Sequence, residues 1–274
     1  MSEAASRPYA EVIGDPIAHS RSPVIHRFWL DRLGIEADYR ATRVRAEELG
    51  DWIGGRRDDP LWRGCNVTLP HKVAVLDHVA DPGDLKASIG AANTLYRVDD
   101  GELAAANTDV AGFAAPLAET AIEGAHAAVI GAGGAARAVL YALARLGVGE
   151  VTLFARRPLA AAGLLAQFGL KGRVQPIGSR LPKAQLLVNA SPLGMQGQDP
   201  LELDLAPLPD DALVYDLVYA PRDTALLRAA DARGLETIGG LAMLIGQAAI
   251  AFELFFGIVP PREEDEALFE SLST

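Results

Sequence analysis

The chain is 274 residues long, half of them hydrophobic and 22% charged, which excludes a disordered polymer and leaves room for one large or two ordinary domains. Lysine and arginine number 25 against 36 acidic residues, a formal charge of −11, so nucleic acid and anionic membrane surfaces are poor partners. Cys65 is the only cysteine, which excludes an intrachain disulfide, suits a reducing, cytoplasmic compartment and reads as a small buried residue.

Residues 1–8 lack the apolar core of a secretory leader. Tyr9–Gly14 alternates and then turns, predicting a first strand. In the following Asp15-Pro16-Ile17-Ala18-His19-Ser20-Arg21-Ser22-Pro23, Ser22 is placed to cap and Pro23 to open a helix over residues 24–33, which Gly34 stops. Residues 37–44 read as a second strand and 46–53 as a second helix. A third strand over 64–69 is closed by Pro70, which leads into a helix through Asp77. Residues 91–98 and 102–106, joined at Asp99-Asp100-Gly101, predict a hairpin. Asn107-Thr108-Asp109 then caps a helix to about residue 121.

The strongest local signal follows. Ala127-Ala128-Val129-Ile130 is a continuous apolar run, as in a strand buried on both faces, and residues 138–144 have helical apolar spacing. Between them stands Gly131-Ala132-Gly133-Gly134-Ala135-Ala136. A strand, a glycine turn and a helix is the setting in which G-x-G-x-x-G/A binds a dinucleotide: Gly131 makes the tight turn, Gly133 lets backbone approach a pyrophosphate, and Ala136 allows close packing. About 20 residues on, where an acid would take the ribose hydroxyls of NAD, the second strand ends in Ala155-Arg156-Arg157. Two guanidinium groups favour the 2′-phosphate of NADP, with a solvated basic turn as the alternative.

Strands and helices continue to alternate, with a helix over 159–168, strands near Val174 and over 186–189 and 212–217, a helix over 224–233 and a strand over 236–238. That order predicts an α/β fold with a parallel sheet covered on both faces, preceded by about a hundred residues of separate α/β structure that form the natural substrate domain. Residues 241–259 are apolar enough to imitate a membrane span, but Gln247 and Glu253 interrupt them and glycine and proline pairs bracket them, so a buried helix is expected.

Several residues could carry chemistry. Lys72 falls in the first turn of the helix opened by Pro70, where the dipole field disfavours a cation and would fit the amine for proton transfer; a surface lysine is the alternative. Asp109 is a candidate partner or simply a helix cap. Thr68 and Asn93 sit near ends of apolar strands, where polar groups satisfy a turn or line a cleft. Ser20 and Ser22, two apart on an extended segment, can point two hydroxyls at a carboxylate beside a helix N-terminus. Gln247 is a lone amide in an apolar helix and needs a core partner or a ligand. The five histidines show no metal-site spacing, and no metal is expected.

Together these motifs resemble the shikimate dehydrogenase family over nearly the whole chain. The residues that carry the resemblance are Gly14-Asp15-Pro16-Ile17-Ala18-His19-Ser20-Arg21-Ser22-Pro23, Asn66-Val67-Thr68-Leu69-Pro70-His71-Lys72, Ala92-Asn93-Thr94-Leu95, Asn107-Thr108-Asp109, Gly131-Ala132-Gly133-Gly134-Ala135, Asn189-Ala190-Ser191-Pro192-Leu193-Gly194-Met195 and Met243-Leu244-Ile245-Gly246-Gln247-Ala248. The resemblance implies a substrate-binding domain of residues 1–108 and 241–274, a Rossmann-type NADP-binding domain of residues 109–240, and an active site in the cleft between them. It implies reversible, NADP-dependent reduction of 3-dehydroshikimate to shikimate on the way to chorismate, by a monomer or homodimer. Lys72 and Asp109 would be the catalytic pair. Ser20, Ser22, Thr68, Asn93, Asp109, Tyr219 and Gln247 would bind substrate. Gly131, Ala132, Gly133, Gly134, Ala135, Arg156, Arg157, Leu217, Gly240 and Met243 would bind the cofactor. One departure is that the later arginine of the family's Asn-Arg-Thr-x-x-Arg is Ala160 here, with Arg157 as its replacement. The rival expectations are an NAD-preferring quinate/shikimate dehydrogenase, against which Ser22 in place of threonine argues, and a non-catalytic NADP-binding sensor.

Overall fold

The computed structural model describes residues 7–79, 84–98 and 101–272. Residues 1–6 of the N-terminal stretch, and Asp99 and Asp100 of the predicted hairpin turn, lie outside them. The chain divides into two compact units, residues 1–108 with 247–274, and residues 109–246. The second division falls at 246/247, inside a helix, six residues beyond the expected 240/241.

Unit 1 is built on a five-stranded mixed sheet, in the order β2-β1-β3-β4-β5, of β1 (Tyr9–Gly14), β2 (Asp38–Arg43), β3 (Trp62–Val67), β4 (Thr94–Arg97) and β5 (Leu103–Ala106). β1 runs parallel to both β2 and β3, and β4 and β5 close the sheet as an antiparallel hairpin. Helix α1 (Ser22–Leu33) follows β1 and ends on Gly34, whose left-handed φ of 63° returns its N–H to Leu30 and Asp31 carbonyls. Helix α2 (Leu49–Arg57) packs Leu49 and Ile53 with Tyr9, Ile13, Trp62 and Val67 on one side of the sheet. A short α3 (Leu85–Ser88), unforeseen from the pattern, precedes β4.

Unit 2 is a six-stranded, all-parallel sheet in the order β11-β10-β9-β6-β7-β8. Its strands are β6 (His126–Ile130), β7 (Glu150–Ala155), β8 (Gly172–Pro176), β9 (Leu186–Asn189), β10 (Leu213–Asp216) and β11 (Glu236–Gly239). Period-two alternation divides the apolar run of β6 between two cores: Ala127 and Val129 join Leu153, Val188 and Tyr215, while Ala128 and Ile130 join Phe154, Leu187 and Val214. Both faces are therefore buried, which is why these strands read as continuous apolar runs. The helices are α4 (Asp109–Ala114), α5 (Gly134–Arg145), α6 (Pro158–Ala161), α7 (Leu164–Gln167) and α8 (Ala225–Ala232). Helix α9 (Gly240–Phe256) carries the division between the units, and α10 (Asp265–Leu272) lies in unit 1.

Two predicted helices are shorter than expected. The one begun at Asp109 stops at Ala114 and tightens into a 3₁₀ turn over Ala115–Leu117, where Pro116 removes a donor. The one expected over 159–168 breaks into α6 and α7 at Gly163. No helix among the described residues is long and apolar enough to cross a membrane.

Candidate active site

In unit 1 the polar candidates collect at the carboxyl ends of the parallel strands, where open α/β sheets bind ligands. Gly14 ends β1 against the chain leaving β3: a β-carbon there would lie 2.7 Å from the Leu69 carbonyl oxygen. Backbone bonds tie the same loops, with Thr68 N–H donating to Ile13 at 2.9 Å and Asp15 N–H to Leu69 at 2.9 Å. Thr68 therefore sits just past β3, half-buried.

Ser22 does not cap α1. It is the first helical residue, Pro23 the second, and Arg21 takes the capping position in helical rather than extended backbone. The assumed extended segment is a turn, and the Ser20 hydroxyl accepts the Ser22 N–H at 3.3 Å. The two serines still meet at the helix entrance, with Ser22 buried.

Lys72 likewise is not in the first turn of a helix. Residues 69–73 form turns, and only Ala74–Asp77 becomes a 3₁₀ helix, so the dipole field invoked for this lysine is absent. Tertiary bonds hold the loop instead. The His71 Nε2 lies 2.7 Å from the Val44 carbonyl, and Ala92 N–H donates to the Lys72 carbonyl at 2.7 Å. The half-buried Lys72 is thereby tied to the strand entry that carries Asn93.

Asn93 is the centre of a buried amide–hydroxyl network. Its Oδ1 accepts from the Thr108 N–H at 2.7 Å, and its Nδ2 donates to Thr108 Oγ1 at 2.8 Å and to Gln247 Oε1 at 3.2 Å. The lone amide of α9 thus has protein partners. Asn66, which the sequence pattern did not single out, extends the network by donating to Thr94 Oγ1 at 3.3 Å and accepting from the Tyr39 hydroxyl at 2.5 Å. Burial pushes the Tyr39 phenol well up, keeping it a donor. A polar residue between the apolar Cys65 and Val67 was the available signal for Asn66. Cys65, beside it, is fully buried, and burial pushes its thiol up as well.

In unit 2, Asp109 is buried as the first residue of α4. Gly131 has φ of 112°, and a β-carbon there would lie 2.7 Å from the Ala190 carbonyl oxygen, so only glycine fits this turn. Gly133 is exposed, and a β-carbon added to it would meet nothing within 4 Å, which leaves open space in front of the α5 N-terminus. Gly134 begins α5, Ala132 and Ala135 are half-buried, and Ala136 is fully buried. These features fit a bound pyrophosphate: open approach for the anion and unpaired first-turn N–H groups facing it. Arg156 and Arg157 are exposed just past β7, and neither forms an ion pair with a described residue.

Leu217, Gly240 and Met243 come together. A β-carbon on Gly240 would collide with the Leu217 carbonyl and lie 2.8 Å from the Val218 carbonyl carbon, and buried Met243 shares a core with Leu217 and Ala132. Tyr219 follows on the same loop, half-buried. No group of three or more His, Cys, Asp or Glu able to hold a metal exists among the described residues.

Known proteins resemble both units. Residues 12–95 match the family model of the shikimate dehydrogenase substrate binding domain, and residues 240–267 that of the shikimate 5′-dehydrogenase C-terminal domain. A shikimate dehydrogenase (NADP(+)) of Sphingopyxis alaskensis is 63% identical over 268 residues, 98% of each chain. One of Rhodopseudomonas palustris is 45% identical over 94% of each chain. Among solved structures, the shikimate 5-dehydrogenase of Thermus thermophilus in complex with NADP(H) and shikimate superposes with a TM-score of 0.85 at 38% identity, covering 97% of this chain and 99% of that one.

Proposed function

The chain belongs to the shikimate dehydrogenase family, and on that premise we propose how its own residues divide the reaction. The activity is the NADP-dependent, reversible reduction of 3-dehydroshikimate to shikimate. NADP, when bound, supplies or accepts the hydride at the carbon that carries the reacting oxygen.

Unit 1 supplies most of the residues that take the substrate. The observation that carries this assignment is the buried cluster of Asn66, Asn93, Thr94, Thr108 and Gln247 at the sheet's ligand-binding end. Amides and hydroxyls both donate and accept, which suits a ring bearing several hydroxyls. Ser20 and Ser22 donate to the ring's carboxylate, while Thr68, Asn93, Gln247 and Tyr219 position the hydroxyls. Lys72 gives a proton to the carbonyl oxygen as it is reduced and takes it back in the reverse direction. Asp109 orients that ammonium and balances its charge. Unit 2 holds the cofactor: residues 131–135 cradle the pyrophosphate, Arg156 and Arg157 pair with the 2′-phosphate in place of the arginine missing at Ala160, and Leu217, Gly240 and Met243 line the nicotinamide. A cytoplasmic site of action suits a chain whose single cysteine is buried as a free thiol.

The test follows reduced-cofactor absorbance with shikimate or quinate and NADP or NAD, for the wild type and Lys72→Ala. Shikimate with NADP should be the productive combination. Lys72→Ala should bind NADPH normally yet lose about two to four orders of magnitude in kcat, the usual worth of a positioned acid–base group. A variant with near-normal kcat would remove Lys72 from the mechanism.

A further inference from the structure

The carboxyl ends of β9 and β10 carry a buried charge that none of the roles above uses. Asp216, the last residue of β10, is fully buried and faces Asn189, the last residue of β9, in the parallel register. Three donors meet its carboxylate: Asn189 Nδ2 at 2.8 Å and the Val218 N–H at 3.0 Å on Oδ1, and the Thr224 hydroxyl at 2.7 Å on Oδ2. The Asn189 amide is equally occupied. Its second N–H donates to the Leu193 carbonyl at 2.9 Å, and its oxygen accepts from the Ser191 N–H at 3.1 Å and hydroxyl at 2.7 Å. Thr224 in turn caps α8 by accepting the Leu227 N–H.

Beyond joining the two strand ends and capping α8, the contacts of this trio fix loops. Asn189 holds residues 190–193, whose backbone packs on Gly131; Asp216 and Thr224 close residues 217–224, whose backbone packs on Gly240. The Gln196 N–H donating to Ala220 at 2.8 Å joins the two loops. A buried carboxylate is a poor choice for stability alone, because apolar residues of similar volume usually pack the same space better. It is a good choice where donor directions must be unique, since each partner has one way to be satisfied. Burial pushes the Asp216 carboxyl up while its three hydrogen bonds oppose that.

We propose that Asp216, through Asn189 and Thr224, is a positioning residue for the nicotinamide end of the cofactor, holding the 190–193 and 217–219 backbones where the reacting ring must lie. The inference rests on the assignment of Leu217, Gly240 and Met243 to that ring. It concerns only that end, since Arg156 and Arg157 follow β7, on the far side of β6 from β9 and β10.

The full chain carrying Asp216→Asn keeps its shape and the acceptor for Asn189 and Val218, but removes the negative charge and the acceptor that the Thr224 hydroxyl proton uses. Binding of NADPH, and of adenosine 2′,5′-bisphosphate, which contains only the phosphoadenosine half, would be measured by calorimetry beside kcat and the KM for shikimate. We expect NADPH binding to weaken about tenfold and kcat to fall about tenfold or more. Bisphosphate affinity and the KM for shikimate should stay within about twofold. Thr224→Val should reproduce this split and Thr224→Ser should not, which decides the matter if Asp216→Asn fails to fold. Equal weakening of NADPH and bisphosphate, or no change in either, would overturn the proposal. A wild type that binds NADPH without oxidising shikimate would refute the proposed function instead, and the two binding measurements would still decide the role of Asp216.

Discussion

His26 should make the folded protein sensitive to acid in a way that one substitution removes. Its ring is fully buried, and neither ring nitrogen has a hydrogen-bond partner among the described residues. It stacks on Tyr39 with centroids 3.9 Å apart, and Trp29, Phe252 and Phe255 surround it. Burial lowers its pKa from 6.5 to about 3, and the neighbouring Asn66 amide opposes this to a lesser degree. In the unfolded chain the ring titrates near its ordinary value. Below that pH the unfolded state therefore takes up a proton that the folded state refuses, so stability is complete above pH 6.5 and falls with acid toward pH 3. At about pH 4.5 the loss spans about two pH units, or about 3 kcal/mol, a large part of a typical ~5–15 kcal/mol. Urea unfolding at about pH 8 and about pH 4.5, followed by the fluorescence of Trp29, Trp52 and Trp62, reports the unit that contains His26. His26→Phe keeps an aromatic ring on Tyr39, and any overpacking it causes acts equally at both pH values. Acid-titrating carboxylates contribute to both proteins and cancel in the difference. The wild type should lose about 3 kcal/mol more than His26→Phe; equal losses would mean that the folded state admits the proton, and the burial argument would be wrong.

Other substitutions test the packing around each site. Glu11 is fully buried in β1 and held by Arg56 Nε at 2.7 Å and by the Thr42 hydroxyl. Arg56→Leu should therefore destabilise by about 3–5 kcal/mol in urea, with Glu11→Leu in the same chain restoring much of it. Gly240→Ala drives a methyl group into the Leu217–Val218 backbone. It should weaken NADPH binding in titration calorimetry while leaving the circular dichroism spectrum intact, and unchanged affinity would show that this backbone does not border the cofactor. Replacing Arg156 and Arg157 together with alanine should raise the KM for NADP at least about tenfold and leave that for NAD nearly unchanged, as expected for lost charge-assisted bonds to a 2′-phosphate.

Legibility in the sequence followed the range of the forces involved. The parallel sheet of unit 2 was readable because burial on both faces writes itself into its central strands, and the glycine turn because the strand, glycines and helix that make it are contiguous in sequence, although the backbone that demands Gly131 is that of Ala190. Ser22 and Lys72 were misplaced because their surroundings are decided elsewhere. A proline three residues into a turn looks like a proline opening a helix; what distinguishes them at Pro70 is that His71 meets Val44 and that Lys72 meets Ala92, contacts no local pattern encodes. Asn66 escaped notice for the same reason, since its partners Tyr39 and Thr94 are 27 and 28 residues away. The turn in which Lys72 sits acts on it differently from a helix terminus. A helix terminus would have acted on the ammonium through a field spread over a turn of peptide groups, whatever lay opposite. Without that field, the tie from the Lys72 carbonyl to Ala92 anchors its backbone beside Asn93, where a bound ring's hydroxyls would be read. Its selection for proton transfer then depends on position before acidity, the order in which a general acid must qualify.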